Sequence, residues 1–312
     1  MTWKVLLTDG LEENGKEILR AKAEVTDQPG ITADDLLKVA GDYDAIIVRG
    51  RTKVIPAVFD AGNKLKVVGR AGVGVDNIDL SAAKSHNVIV VNSPLATTLA
   101  VAELTIGLMF AVSREIPRAD AGMKNTKWLK KELEGVELNG KTLGVIGFGR
   151  IGAATAQRAA AMGMKIIAFD PQLSDDEIRA RGGDPVSFDK LLASADFITI
   201  HTPLTNETRG IINAAAIARM KDGVRIICAA RGGVVDEAAL LEALNSGKVA
   251  AAGLDVFATE PPGESALASH PHVVATPHIG AQTVEAQARA AADIASEVLA
   301  ALNGESLRWR VA

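Results

Sequence analysis

Short runs of apolar, often β-branched residues recur along the chain, separated by stretches with helical spacing. WKVLLTD (3–9), DAIIVRG (44–50), LKVVGRAG (65–72) and NVIVVNSP (87–94) form a first group. KTLGVIGFG (141–149), MKIIAFD (164–170), DFITIHTP (196–203), VRIICAAR (224–231), VAAAGLDVF (249–257) and HVVATPHI (272–279) form a second. Within the runs apolar residues are continuous rather than alternating, which predicts parallel strands covered on both faces. Alternation of such strands with helices predicts βαβ units and two doubly wound α/β domains. Two longer helical patterns stand apart. LATTLAVAELTIGLMFAVSREI, at about 95–116, is apolar over much of its surface and is expected to be buried between domains or subunits. VEAQARAAADIASEVLAAL (284–302) closes the chain. The expected division is 98–284 for one domain and 1–97 plus 285–312 for the other, with a cleft between them.

The chain has 312 residues, enough for two cores. A net charge of −4 gives no reason to expect a nucleic-acid partner. Cys228 is the sole cysteine, so no internal disulfide exists. The opening MTWKVLLTDG lacks a charged-then-apolar leader, and no apolar run approaches the length of a membrane span. A cytoplasmic protein without a membrane partner is the expectation.

GVIGFGRIG (144–152) then sharpens the picture. Gly147, Gly149 and Gly152 have the spacing G-x-G-x-x-G, after a strand pattern and before a helical one. In that context Gly147 permits the tight turn, Gly149 lets a pyrophosphate approach the backbone, and Gly152 lets helix and sheet pack closely. The helix N-terminus offers its unsatisfied N–H groups to phosphate. Asp170 ends the next strand, 18 residues beyond Gly152. Its carboxylate would accept from ribose hydroxyls and repel a 2′-phosphate, so NAD is expected rather than NADP. The fold expected here is a Rossmann NAD domain inserted in a flavodoxin-like substrate domain.

Three later strands end in polar residues, at AARGGVVDE (229–237), DVFATEPP (255–262) and TPHIGAQ (276–282). Ligands of doubly wound sheets bind beyond the carboxyl ends of the strands, so Arg231, Glu260 and His278 are expected to converge. Arg231 offers a two-pronged donor suited to a carboxylate. His278 suits proton exchange near neutral pH, and Glu260 beside it would stabilise imidazolium. The set fits hydride transfer between a 2-hydroxy acid and a 2-keto acid.

The ordered strings VGRAGVGVDNID, ELNGKTLGVIGFGRIG, HTPLTNETRGIIN, ARGGVVDEAAL, LDVFATEPP and TPHIGAQTVEAQ resemble the D-isomer-specific 2-hydroxyacid dehydrogenases over essentially the whole chain. Within that family the likeness is greatest to the phosphoglycerate-oxidising branch. The resemblance implies that Arg231 binds the substrate carboxylate, that His278 is the acid/base and that Glu260 is its partner. It implies that the backbone of Val73 and Gly74 also holds the carboxylate. Implied cofactor contacts are Val73, Arg150, Ile151, Asp170, Thr202, Ala229, Ala230, Arg231, Asp255 and the turn from His278 through Gly280 to Ala281. The implied reaction oxidises D-3-phosphoglycerate to 3-phosphohydroxypyruvate, the first step of serine biosynthesis. Arg49, Arg51 and Arg70 are the cations expected to meet a substrate phosphate, since a plain 2-hydroxy acid needs only one carboxylate site. For Arg49 and Arg51 the alternative is a solvated role or pairing with nearby acids such as Asp44. Other readings keep the enzyme and change the substrate to glyoxylate or hydroxypyruvate, or make the chain a non-catalytic NAD-sensing, corepressor-like protein.

Cys228 stands where the family usually has Asn, three residues before Arg231, and reads as a small buried residue. NSPLATTLAVAE differs from the Gly-Asn form of the long phosphoglycerate enzymes. Because the sequence ends at Ala312, regulation by serine through an appended domain is not expected. His270 and His272 flank Pro271 without a Cys or carboxylate to complete a tetrahedral set, so no metal is expected. A homodimer or tetramer is expected through the apolar surface of the 95–116 helix.

Overall fold

The computed structural model describes residues 2–312. Its contacts divide the chain into two units, one running up to Thr97 and joined by Ala281–Ala312, the other Thr98–Gly280.

The first unit holds β1 (Trp3–Leu7), α1 (Glu13–Arg20), β2 (Ala23–Asp27), α2 (Ala33–Val39), β3 (Ala45–Val48), α3 (Pro56–Ala61), β4 (Val67–Arg70), α4 (Leu80–Ser85) and β5 (Ile89–Asn92). Its strands form a wholly parallel sheet in the order β2-β1-β3-β4-β5, the flavodoxin-like arrangement. The continuous apolar runs have the expected cause. In β3, Ala45 and Ile47 face a core shared with Leu19 of α1 and with Ile294 and Val298 in the C-terminal segment. Ile46 and Val48 face the opposite core, with Leu36, Phe59 and Ala83. Successive residues point to opposite faces of a strand, so a strand covered on both sides has no polar positions.

The second unit begins with α5 (Thr98–Arg114) and α6 (Ile116–Lys124). Then come β6 (Thr142–Ile146), α7 (Arg150–Ala161), β7 (Lys165–Phe169), α8 (Asp175–Ala180), β8 (Asp184–Pro185), α9 (Phe188–Ser194) and β9 (Phe197–Ile200). It ends with α10 (Ala214–Ala218), β10 (Val224–Cys228), α11 (Glu237–Asn245), β11 (Val249–Leu254) and β12 (Val273–Ala275). The last helix of the chain, α12 (Val284–Asn303), belongs to the first unit. The second sheet is parallel in the order β12-β11-β10-β9-β6-β7-β8. Strand order reverses between β6 and β9, the place where such sheets open a crevice for ligands. Leu108, Val145, Ala156 and Ile227 pack on one face; Ile146, Leu191, Ile226 and Leu240 pack on the other.

The helix expected over 95–116 starts three residues later and breaks at Glu115, whose φ of 48° is left-handed. Pro117 then opens α6, where a missing N–H costs nothing. α5 lies on the second unit's own sheet: Leu108 and Val112 pack over Gly253 of β11. Among the described residues no helix is long and apolar enough to cross a membrane.

Candidate active site

The glycine loop joins β6 to α7. Gly147 has φ of 85°, and a Cβ there would come 2.9 Å from the His201 carbonyl at the end of β9. A Cβ on Gly152 would overlap the carbonyl oxygen of Gly147, so the first turn of α7 closes onto the loop only with glycine there. Around Gly149 no heavy atom stands within 4 Å of a Cβ position, so the approach to the backbone is open. Gly149 is also the N-cap of α7 and supplies no side chain to its N–H groups, leaving the helix end available to an anion next to Arg150 and Ile151.

Asp170 follows β7 and accepts from Phe148 N at 2.8 Å and from Gln172 N at 2.9 Å. It braces the glycine loop while keeping acceptor capacity, since a carboxylate takes about four hydrogen bonds. Beyond β9, Thr202 Oγ1 and His201 Nδ1 are buried without a hydrogen-bond partner. His201 Nε2 meets Thr199 Oγ1 at 3.0 Å, and burial pushes the imidazole pKa down to about 4. An open glycine backbone, an uncapped helix end, an acid at the next strand and orphaned polar atoms beside the switch point together fit a dinucleotide.

The proton-handling pair lies beyond β10, β11 and β12. His278 Nδ1 is 2.7 Å from Glu260 Oε2. That hydrogen bond raises the His278 pKa above its ordinary value against the opposing effect of burial. Burial pushes Glu260 upward, but bonds from His278 and from Phe257 N at 3.1 Å outweigh it and hold the carboxyl below its usual range. Arg231 is close enough for its charge to lower both groups, and its Nη1 donates to Ala230 O at 2.6 Å. The structure therefore brings all three expected residues together within the second unit.

Two residues that the sequence reading passed over hold this arrangement. A Cβ on Gly232 would overlap the Phe257 carbonyl, so only glycine lets the Arg231 loop pack against the Glu260 loop. Glu237, at the start of α11, accepts from Ala258 N at 2.6 Å and fixes the same loop. The Arg-Gly-Gly string was the available signal for the first; nothing local marks the second.

Asp255 is 1% exposed. Its carboxylate accepts from Thr276 Oγ1 at 2.6 Å and from the amides of Ile279 and Gly280, each at 2.8 Å. His278 sits between them with φ of 52°, a left-handed conformation costing about 1–3 kcal/mol for a non-glycine residue. Hydrogen bonds to a charged group are worth about 1.5–3 kcal/mol each, so three of them outweigh that cost.

Cys228 is buried at the end of β10, and burial pushes its thiol up to about 11, which keeps it un-ionised. Ala229 continues the buried strand end.

The other expected substrate contacts lie in the first unit. Val73 O accepts from Asn92 Nδ2 at 2.7 Å, which fixes the Val73–Gly74 backbone after β4. Arg49 donates to the side chains of Gln282, at 3.2 Å, and Gln287. Arg51 pairs with Asp9 at 3.0 Å and donates to Thr8 O at 2.7 Å and Ile31 O at 3.1 Å. Arg70 Nη1 reaches Ala71 O at 3.2 Å. Asp44 instead accepts from Lys4 N and pairs with Lys66, so it is Asp9 that answers Arg51. Ala281 O accepts from Gln287 Nε2 at 2.7 Å.

Residues 106–280 match the sequence model of the D-isomer specific 2-hydroxyacid dehydrogenase, NAD binding domain. The chain belongs to the D-isomer specific 2-hydroxyacid dehydrogenase family. Its cofactor is NAD, as the matched domain and the open glycine loop agree. A D-3-phosphoglycerate dehydrogenase of Methanocaldococcus jannaschii is 48% identical over 97% of this chain and 58% of that protein. The chain spans about half the length of the curated relatives it matches. Among solved structures of the family, a glyoxylate reductase of Paecilomyes thermophila superposes with a TM-score of 0.91 at 33% identity, over 99% of this chain and 98% of that one. A D-lactate dehydrogenase of Aquifex aeolicus, complexed with NAD and lactic acid, gives 0.84 at 30% identity over 96% of each chain.

Proposed function

We propose that the chain oxidises D-3-phosphoglycerate to 3-phosphohydroxypyruvate with NAD, the first step of serine biosynthesis. The observation that carries the reaction type is the hydrogen-bonded His278–Glu260 pair with Arg231 beside it, at the strand ends of an NAD-binding domain. The substrate is favoured by likeness: D-3-phosphoglycerate dehydrogenases match 95% or more of the chain at 44–48% identity, against 33% for the glyoxylate reductase.

NAD, when bound, supplies the hydride acceptor for C2 of the substrate. Arg231 takes the substrate carboxylate in its two-pronged donor and polarises the reacting oxygen. With Nδ1 held by Glu260, His278 is left with Nε2 to receive the proton of the 2-hydroxyl. Glu260 then stabilises the imidazolium that results. In the reverse direction, protonated His278 returns that proton to the carbonyl oxygen. In this reading the Val73–Gly74 backbone is assigned to the carboxylate, and the phosphate to the first unit's arginines, Arg49 foremost.

A homo-oligomer built through the second unit is part of the reading. Phe110, Ile116, Met123 and Trp128 are exposed apolar residues on α5, α6 and the loop that follows, and Trp128 is 76% exposed. Sedimentation of the wild type against Met123→Glu/Trp128→Glu tests it: a species larger than one chain should become a single chain.

The activity is tested by following NADH absorbance with phosphohydroxypyruvate, hydroxypyruvate and glyoxylate. A higher kcat/KM for the phosphorylated acid supports the proposal. Equal or better use of the unphosphorylated acids overturns the substrate, and no turnover with any of them overturns the enzyme.

A further inference from the structure

We infer that Asp255 is the positioning residue of the acid/base: its buried carboxylate holds the Thr276–Gly280 turn in the conformation that presents His278 to Glu260. The inference rests on the reading of His278 as the group that exchanges the proton.

Asp255 directly follows β11, and its own N–H donates to Cys228 O at 2.9 Å, which ties it to the strand that leads to Arg231. From that anchored position both of its ends engage the turn. The main-chain carbonyl accepts from His278 N at 2.9 Å. The carboxylate gathers the Thr276 hydroxyl and the amides of Ile279 and Gly280. The donors thus flank His278 on both sides in sequence, and the residue between them is the one with a left-handed backbone. A Cβ on Gly280 would stand 3.0 Å from Asp255 Oδ2 and 3.3 Å from Val101, so the turn closes on the carboxylate with no room to spare. Three of about four acceptor sites are spent on the turn.

Charge and shape make the role specific. The two amides and the hydroxyl arrive as donors, so the position needs an acceptor at both oxygens. Asparagine keeps the volume but sets an NH₂ against one of the donors, so the turn must rotate. His278 would then leave its 2.7 Å contact with Glu260. A misplacement of about 1 Å at a reacting group can cost on the order of 10²-fold in rate. The rival role for Asp255 is a direct cofactor contact, and the two roles separate experimentally. A cofactor contact sets NADH affinity; a positioning residue sets turnover, and only through His278.

The test uses Asp255→Asn, Thr276→Val and Thr276→Ser, each alone and combined with His278→Ala. The readouts are kcat at saturating cofactor with the best-used 2-hydroxy acid, and the NADH Kd by fluorescence. Asp255→Asn should lower kcat by about 10- to 100-fold while the NADH Kd stays within about twofold. Thr276→Val, which removes one donor, should give a smaller fall, and Thr276→Ser, which restores the hydroxyl, should recover it. In the His278→Ala background none of the three should lower the residual rate further. The inference is overturned if Asp255→Asn costs its full factor again in that background, or if its loss lies in NADH affinity with kcat intact. Should Asp255→Asn fail to fold, the valine–serine contrast at Thr276 decides: equal rates for the two variants overturn the inference. Wild-type turnover in His278→Ala alone would instead overturn the acid/base reading beneath it.

Discussion

His278 Nδ1 and Glu260 Oε2 meet at 2.7 Å although 17 residues separate them in the chain, and each shifts the other toward its charged form. The contact raises the histidine and lowers the carboxyl, which is the signature of an ion pair formed when the imidazole is protonated. It also fixes which ring nitrogen is left for chemistry.

Replacing Glu260 by Gln should move the pH profile in a defined direction. Oxidation needs neutral His278, so its rate climbs as pH passes upward through the histidine pKa. Reduction needs the protonated form and fades at the same point. The charged hydrogen-bond acceptor at Glu260 is the main cause of the raised pKa, and a neutral Gln amide replaces it with a weaker one. The acidic limb of oxidation should therefore shift to lower pH, and the upper limit of reduction should fall with it. The plateau should drop as well, because the imidazolium loses its partner. Profiles of kcat/KM in both directions check this; unshifted limbs would mean that the pair does not govern proton exchange.

Asp170 should enforce a strong preference for NAD over NADP. Its carboxylate sits where the adenosine ribose is expected, and a 2′-phosphate there would meet like charge. Because Asp170 also accepts from Phe148 N and Gln172 N, its removal should cost more than selectivity. Asp170→Ala should weaken binding of both cofactors while narrowing the ratio between them. Comparable kcat/KM for the two in the wild type would contradict this.

What the sequence made legible follows from burial. β3 and β6 are covered on both faces, so their apolar runs stand out without any fold in hand. β2 and β8 were not foreseen. Both are edge strands, one with the mixed pattern AEVTD and the other two residues long, and neither carries a continuous run. The break at Glu115 was signalled by Pro117, which marks a helix start rather than a helix interior. At the site, Arg231, Glu260 and His278 were readable because each follows an apolar strand, and strand ends in such sheets face ligands. The pairing of Arg51 with Asp9 was not, because both are loop residues brought together only by the adjacency of β1 and β3. The clasp of Asp255 on the Thr276–Gly280 turn was hidden for the same reason.

Gly152→Ala should damage cofactor binding through the backbone alone. Its Cβ would overlap the Gly147 carbonyl and approach Val145 at 3.2 Å, so α7 must shift away from the loop. That carries the helix end away from the phosphate position. The NADH Kd should rise by at least about tenfold, and thermal stability should fall by an amount typical of overpacking, about 1–3 kcal/mol. Fluorescence titration and melting curves check both; an unchanged Kd would show that the close contact is not what places the loop.

The three arginines of the first unit should not contribute equally to recognition of a phosphorylated substrate. Arg49 and Arg51 lie in one loop and differ in what they meet. Arg51 pairs with the nearly buried carboxylate of Asp9 at 3.0 Å and reaches two main-chain carbonyls. Burial pushes Asp9 upward, but donors from Thr52 and Arg49 N, together with the Arg51 charge, hold it below its ordinary range, so the acid is ionised and compensates Arg51. Arg49 bonds instead to the neutral side chains of Gln282 and Gln287, and among the described residues no carboxylate pairs with its guanidinium. A dianionic phosphate gains most from the cation whose charge is not already answered. Arg49→Ala should therefore raise KM for phosphohydroxypyruvate by about 10- to 100-fold, the worth of one charge-assisted hydrogen bond, with little change for hydroxypyruvate. Arg51→Ala should act mainly on stability by removing the cation beside Asp9, and should change the ratio between the two substrates far less. Arg70→Ala, on the strand that leads to Val73 and Gly74, should weaken both substrates. Steady-state kinetics on the two acids across the three variants decides it: if Arg51→Ala selectively loses the phosphorylated acid while Arg49→Ala does not, charge compensation by Asp9 is not what sorts these residues.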